Sequence, residues 1–148
     1  MRDIVVRRAR DDESAAVAAL FRLSKETAMP YLPDLHTPEE DRAYFGTRIS
    51  AGELWVAEAV GSLTGFCAFN SDSVDHVFVH PAHQRRGIGT ALVQKAKDAF
   101  GRLQLWTFQR NETALRFYES HGFTVAERTD GRDNEEREPD VLLVWERS

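Results

Sequence analysis

The chain has almost no cysteine: Cys67 is the only one in 148 residues. An internal disulfide is excluded, and a reducing compartment, the cytoplasm by default, is expected. No apolar run approaches the roughly 18 residues of a membrane-spanning helix. The N-terminal MRDIVVRRARDDE also lacks the apolar core of a secretory signal. Positive charge is not in surplus, since 24 Asp and Glu outnumber 19 Lys and Arg and give a net charge of -5. Generic nucleic-acid binding, which needs a clustered basic surface, is therefore not expected. A local cationic pocket is still allowed. No repeat, linker or low-complexity segment interrupts the chain, and its length suits one domain over residues 1–148.

What is present reads as alternating elements. DIVVRRA (3–9) has the β-branched content of a strand. DDESAAVAALFRLSKETAM places Val17, Leu20, Phe21 and Ser24 at helical spacing, with Asp11 or Asp12 as the cap. Pro30, Pro33 and Pro38 force a loop, and Thr37-Pro38-Glu39-Glu40 reads as a helix start followed by a buried stripe of Tyr44, Phe45 and Ile49. Residues 53–70 read as a hairpin turning at Gly61-Ser62, and 73–80 as a third strand. Gly87 to Phe100 carries Ile88, Leu92, Ala96, Ala99 and Phe100 on one helical face. A strand (103–108), a short helix (111–123) stopped at Gly122, and two closing strands around a charged turn complete the order β-α-α-β-β-β-α-β-α-β-β. That order is not a strict βαβ alternation, so a mixed sheet with helices on both faces is expected.

The stretch HPAHQRRGIGT (80–90) admits three readings. The first is metal, from His76, His80 and His83. On a strand, positions 76 and 80 stand about 13 Å apart, whereas two zinc ligands must each lie about 2 Å from the ion. The second is a nucleic-acid patch, for which Arg85 and Arg86 alone are too few. The third is a phosphate cradle. A strand, a loop and Gly87-x-Gly89 opening a helix bring free backbone N–H groups and the helix dipole to an anion, and the two arginines add charge-assisted hydrogen bonds. The P-loop and dinucleotide patterns do not fit, since no GxxxxGK[ST] occurs and position 92 is Leu. A flexible helix start is the plain alternative to the cradle.

VFVHPAHQRRGIGTALVQKAKD resembles the signature of the GNAT superfamily of N-acetyltransferases: a strand ending Val79-x-Pro81, then Gln84-Arg85-Arg86-Gly87-Ile88-Gly89 opening a helix. LWTFQRNETALRFYESHGF resembles that family's second motif, with Asn111, Ala114, Phe117-Tyr118 and His121-Gly122-Phe123. The resemblance implies a mixed, mostly antiparallel α/β sheet splayed in its middle. It implies acetyl-CoA as donor, an amine as acceptor, no metal, and leaves room for a homodimer. Pyrophosphate would sit on the backbone from Arg85 through Gly87, Ile88 and Gly89 to Thr90, near Gln84 and Arg86. Pantetheine would lie beside Phe78 and Val79, within reach of Asn111, Ala114, Phe117 and Tyr118.

Acetyl transfer needs a neutral amine and a protonated leaving thiol. Tyr118 falls where the family's acid does; the alternative is a core tyrosine. The Val79 N–H is the candidate oxyanion donor. Glu58 is the leading candidate base, with Asp75 and His76 beside it and solvent as the remaining option. Asn111 either holds pantetheine or caps its helix. The acceptor is expected among Tyr31, Leu32, His36, Trp55, Asp75 and the 130–138 turn. Cys67 reads as a small core residue. A non-catalytic acyl-CoA-binding module would keep the cradle and lose the acid.

Overall fold

The computed structural model describes residues 4–59 and 61–148. Among them a seven-stranded sheet runs β1 (Val5–Arg8), β2 (Leu54–Ala59), β3 (Ser62–Asn70), β4 (Ser73–Val79), β5 (Arg102–Phe108), β7 (Asp140–Glu146), β6 (Thr124–Arg128). Every neighbouring pair is antiparallel except β4 and β5. The helices are α1 (Ser14–Ala28), α2 (Pro38–Ser50), α3 (Ile88–Ala99) and α4 (Glu112–Ser120).

Strand alternation sorts the core into two layers. Leu54, Val56, Phe66 and Ala68 face Val17, Leu20, Phe45 and Ile49 of α1 and α2. Ala57, Cys67, Leu103, Leu105, Val141 and Leu143 face Ile88, Leu92 and Ala96 of α3 and Tyr118 of α4. Helices thus cover both faces, and the mixed, mostly antiparallel sheet is the one expected.

Local details differ from the sequence reading for physical reasons. Asp3, the first residue of the expected opening strand, lies outside the described residues. Ser62 pairs with Ala59 and so begins the second strand rather than sitting in the turn; Gly61 has φ +75°, and Val60 is outside the described residues. Asp11 and Asp12 do not cap α1. They lie in a 3₁₀ turn, Asp11–Glu13, and it is Glu13 whose carboxylate accepts from the Arg10 N–H at 2.7 Å. At α2 the expected start holds: Thr37 accepts from the Glu40 N–H and Glu40 reaches back to the Thr37 N–H at 2.8 Å. The buried stripe of α2 is Asp41, Phe45 and Ile49, spaced by four, which turns Tyr44 out. Ala99 is exposed at the end of α3, and Phe100 is extended rather than helical.

The feature that positions the site is a split. β4 and β5 run parallel and pair at Ser73 and Gln104, where the Gln104 N–H bonds the Asp72 carbonyl at 2.8 Å. Beyond that point their C-terminal halves part. On its other side β4 stays paired with β3, and the His80 N–H bonds the Thr64 carbonyl at 2.8 Å. Alternation in an antiparallel ladder then turns the backbone groups of Val77 and Val79 toward the open side.

Candidate active site

The parted strands open a cleft of about 570 Å³, with Val77 and Phe78 of β4 on one side and Trp106, Thr107 and Phe108 of β5 on the other. Pockets for small molecules commonly run from about 300 to 1,000 Å³. Helix α4 supplies Asn111, Ala114 and Tyr118 to its wall, and α1 and α2 supply Phe21, Lys25, Tyr44 and Phe45. The cleft therefore meets both helical layers at the point where the sheet offers unpaired backbone.

At the end of β4 the chain enters a short 3₁₀ turn, Pro81–His83, capped by His80, whose Nδ1 accepts from the Ala82 N–H at 3.0 Å. The His80 and His83 rings pack edge to face at 5.3 Å. No group of three or more His, Cys, Asp or Glu is placed to hold a metal among the described residues. The segment Gln84–Gly87 then bends through two left-handed residues, Arg85 at φ +65° and Gly87 at φ +84°. An L-residue such as Arg85 adopts that conformation at a cost of about 1–2 kcal/mol, and such strain collects where the backbone is bent around a ligand. The first α3 amide to bond along the helix is Ala91, to Gly87 at 3.0 Å. The N–H groups of Ile88, Gly89 and Thr90 are thus the free amides of a helix N-terminus. A bent loop feeding such amides is an anion-binding concavity.

The two glycines have different work. Gly87 caps α3 with φ +84°, and a Cβ on it would meet only Ile4 Cδ1, at an ordinary 4.0 Å. A Cβ on Gly89 would stand 3.0 Å from the Phe117 ring, so that glycine seats α4 against the start of α3. Thr90 strengthens the same junction. The His121 Nδ1–H donates to the Phe117 carbonyl at 2.7 Å, which leaves Nε2 to accept from the Thr90 hydroxyl at 2.9 Å. The two motifs, residues 77–98 and 105–123, are one packed unit.

Tyr118 is buried against Phe117 and Phe123, and its hydroxyl has no hydrogen-bond partner among the described residues. Burial, with Cys67 nearby, raises its pKa well above the ordinary tyrosine value. It is protonated throughout the neutral range. Asn111 caps α4 through Oδ1, which accepts from the Ala114 N–H at 3.2 Å, and its amide hydrogens remain for a ligand. Burial pushes the Cys67 thiol up to about 12, and its Sγ lies 3.7 Å from the Leu92 carbonyl. It is a core residue.

The expected acceptor residues do not all converge. His36 and Asp75 line the cleft. Glu58 does not: it sits two strands from β4, 2.9 Å from Arg7, which also grips Glu13 at 2.8 Å. Trp55 faces the other layer, under Lys95 at 4.2 Å and Arg8 at 5.1 Å. Tyr31 lies beneath the Arg110 guanidinium at 4.1 Å, and Arg110 forks onto Glu138 at 2.7 and 2.8 Å. Together with a His36–Glu135 pair at 2.5 Å, this joins the proline-rich loop to the 129–139 segment across the cleft. Tyr31 acts as a strut of that closure rather than as lining.

Several site residues carry no motif. Gly65 is one: a Cβ there would meet the Phe78 carbonyl oxygen at 2.8 Å and Ile88 at 3.0 Å. Another set is Tyr44, Arg48 and His76. Arg48 Nη1 donates to the Tyr44 oxygen at 2.9 Å, and that oxygen lies 3.0 Å from His76 Nε2. Burial among aromatic rings, with Arg48 close by, pushes the His76 pKa down to about 3. The sequence offers His76 as a candidate base and Tyr44 as part of a buried stripe, but nothing in it joins the two.

A family model described as an acetyltransferase (GNAT) domain matches residues 50–125. Escherichia coli (strain K12) YiaC, a peptidyl-lysine N-acetyltransferase, is 27% identical over 124 residues, spanning 83% of this chain and 85% of that protein. The solution structure of apo YjaB from Escherichia coli superposes with a TM-score of 0.77 at 24% identity, covering 99% of each chain. The PaiA N-acetyltransferase of Thermoplasma acidophilum, in complex with coenzyme A, superposes with a TM-score of 0.75 at 18% identity over 97% of this chain and 99% of that one. The two structural matches are likenesses of fold.

Proposed function

The chain belongs to the GNAT acetyltransferase family, and we propose that it moves an acetyl group from acetyl-CoA to a primary amine of a small molecule or peptide, by direct attack in a ternary complex. The observation that carries this reading is the parting of β4 from β5, which opens a cleft lined by Val77, Phe78, Asn111 and buried Tyr118; the left-handed bend at Arg85 and Gly87 follows β4 in the chain. In this reading residues 1–148 act as one acetyl-CoA-binding domain. No helix among the described residues is long and apolar enough to cross a membrane, and the lone reduced cysteine fits the cytoplasm.

The roles follow from chemistry. The free amides from Arg85 to Thr90 hold the pyrophosphate, with Gln84 and Arg86 beside it. Pantetheine lies beside Phe78 and pairs with the outward backbone of β4 at Val79, against Asn111, Ala114 and Phe117. The Val79 N–H meets the thioester oxygen as it gains charge. The Val79 carbonyl is itself anchored by Ser24 Oγ at 3.4 Å. The amine attacks the thioester carbon, the C–S bond breaks, Tyr118 protonates the departing thiolate, and the proton lost by the new amide nitrogen passes through water to restore the Tyr118 hydroxyl. Holding both substrates side by side supplies much of the rate.

Glu58 is locked to Arg7 outside the cleft, so the ammonium gives its first proton to water rather than to Glu58. The lining favours a cationic acceptor: Asp41 and Asp75 are paired with Arg22 and Arg48 and Glu135 with His36, which leaves Glu40 and Glu136 against a single lysine, Lys25. A lysine side chain in a peptide has that charge, and YiaC is named for such an acceptor.

Tyr118→Phe tests the reading. Calorimetry should find acetyl-CoA binding close to wild type, while turnover of a lysine peptide falls roughly 100-fold or more, the usual contribution of a general acid. Unchanged turnover from pH 6 to pH 9 would remove Tyr118 from the mechanism. Absence of acetyl-CoA binding by wild type would remove the reading itself.

A further inference from the structure

We infer that Tyr44 is the hydrogen-bond acceptor that seats the attacking amine, and that Arg48 and His76 are the residues that position its hydroxyl. The inference rests on the acetyl-transfer reading above and concerns the acceptor half of the same cleft.

Tyr44 lines that cleft and is 43% exposed, so a ligand can reach it. Its oxygen is held from two sides. A guanidinium only donates, so at 2.9 Å from Arg48 Nη1 the Tyr44 oxygen must accept. The Tyr44 proton then goes to His76 Nε2, 3.0 Å away, provided that nitrogen carries no proton. It carries none. The imidazole packs against Phe21, Phe45, Phe66 and Phe78 at ring distances of 5.8, 5.4, 6.3 and 6.2 Å, with the Arg48 charge next to it. In that tautomer the chain of donors runs one way, Arg48 to Tyr44 to His76.

Arg48 cannot swing out of this chain. Its Nε is 2.7 Å from Glu53 and its Nη2 is 3.0 Å from Asp75. A phenolic oxygen has two acceptor sites. One is used by Arg48, and the other remains for a donor entering the cleft. An amine N–H is that donor. The amine, already relieved of one proton by water, gives an N–H to Tyr44 and keeps its lone pair for the thioester carbon. No bond to Tyr44 is made or broken.

The remaining charged and titratable groups around this point have other duties. Lys25 of α1 stands 5.3 Å over the Phe21 ring, and Asp41 of α2 is tied to Arg22 at 2.6 Å. Asp75 of β4 holds Arg48, Glu135 meets His36, and Tyr118 stands on α4; Glu40 of α2 serves the helix cap, and Glu136 lines the far loop. None of them takes the place of a donor-fixed neutral oxygen.

The test uses acetyl-CoA and an end-blocked lysine amide as the acceptor probe. Tyr44→Phe removes one oxygen from an exposed ring, so the fold is kept and its melting temperature serves as the control. The Michaelis constant for the lysine probe should rise roughly fivefold, the value of one hydrogen bond. The constant for acetyl-CoA should not move. His76→Leu should behave like Tyr44→Phe, whereas His76→Gln, which still offers an acceptor to Tyr44, should restore near wild-type acceptor binding. Tyr44→Phe with an unchanged acceptor constant, or with both constants raised alike, overturns the inference. A wild type that binds acetyl-CoA but acetylates neither this probe nor a simple alkylamine overturns the acetyl-transfer reading and the inference with it.

Discussion

Gly65→Ala places the tightest geometry of the site under test. Gly65 stands on β3 opposite Val79. A Cβ there would lie 2.8 Å from the Phe78 carbonyl oxygen, 3.0 Å from Ile88 Cγ2 and 3.1 Å from Leu92 Cδ1. The first neighbour is backbone and cannot rotate aside. Either β4 shifts or the first turn of α3 lifts. Overpacking of this kind costs about 1–3 kcal/mol. Replacing glycine inside a strand returns about 0.5–1 kcal/mol of chain entropy. The net is a loss of about 1–2 kcal/mol, and at about 2–4 °C per kcal/mol for a chain of this size the melting temperature should drop by roughly 2–8 °C. The same displacement falls on Phe78 and Ile88, the two sides of the proposed acetyl-CoA site. Calorimetric scans with and without acetyl-CoA should therefore show a smaller ligand-induced rise for the variant than for wild type. A variant as stable as wild type, with equal acetyl-CoA affinity, would refute the claim that β3, β4 and α3 meet at this point without slack.

Acid stability should report the Arg7 cluster. Hydrogen bonds from Arg7 hold the Glu13 carboxyl down to about 2, against an ordinary value of 4.5. A depressed carboxyl stabilises the fold above its unfolded pKa, and that stability is lost as pH falls from about 4.5 toward 2. Urea unfolding of wild type and Glu13→Gln should differ by about 1–2 kcal/mol at neutral pH and converge at pH 2, with the gap discounted for water around the pair; a gap independent of pH would mean that Glu13 matters for packing alone. Gly87→Ala forces an L-residue to φ +84° at the α3 cap. It should cost about 1–2 kcal/mol and weaken acetyl-CoA binding in titration calorimetry, and wild-type affinity in this variant would free the cradle from its left-handed turn.

Much of this architecture was legible because local chemistry decides it. Thr37-Pro38-Glu39-Glu40 specifies a cap whatever packs behind it, and the capping box forms as written. Gly87-Ile88-Gly89 marks a helix start, although only the structure separates the conformational role of Gly87 from the packing role of Gly89. Tertiary facts were less accessible. Trp55 alternates with Leu54 and Val56, so its opposite facing was encoded, but which face held the cleft was not. Glu58 looked available as a base because nothing in sequence says that Arg7 and Glu13 will close around it. Tyr44 was grouped with Phe45 and Ile49, whereas the spacing of four carries Asp41, Phe45 and Ile49 inward and leaves Tyr44 at the cleft. The His76–Tyr44 contact joins residues 32 apart and has no local signature.

The most direct test of acetyl transfer is product analysis of one reaction mixture: purified protein, acetyl-CoA and the end-blocked lysine amide, followed by mass spectrometry for the acetylated amine and a thiol assay for free CoA. The account predicts acetylated lysine and CoA in equal amounts, with no acetyl group carried on the protein when the amine is omitted. CoA release without acetylated amine, or an acetyl-protein that forms and then decays to product, would contradict it.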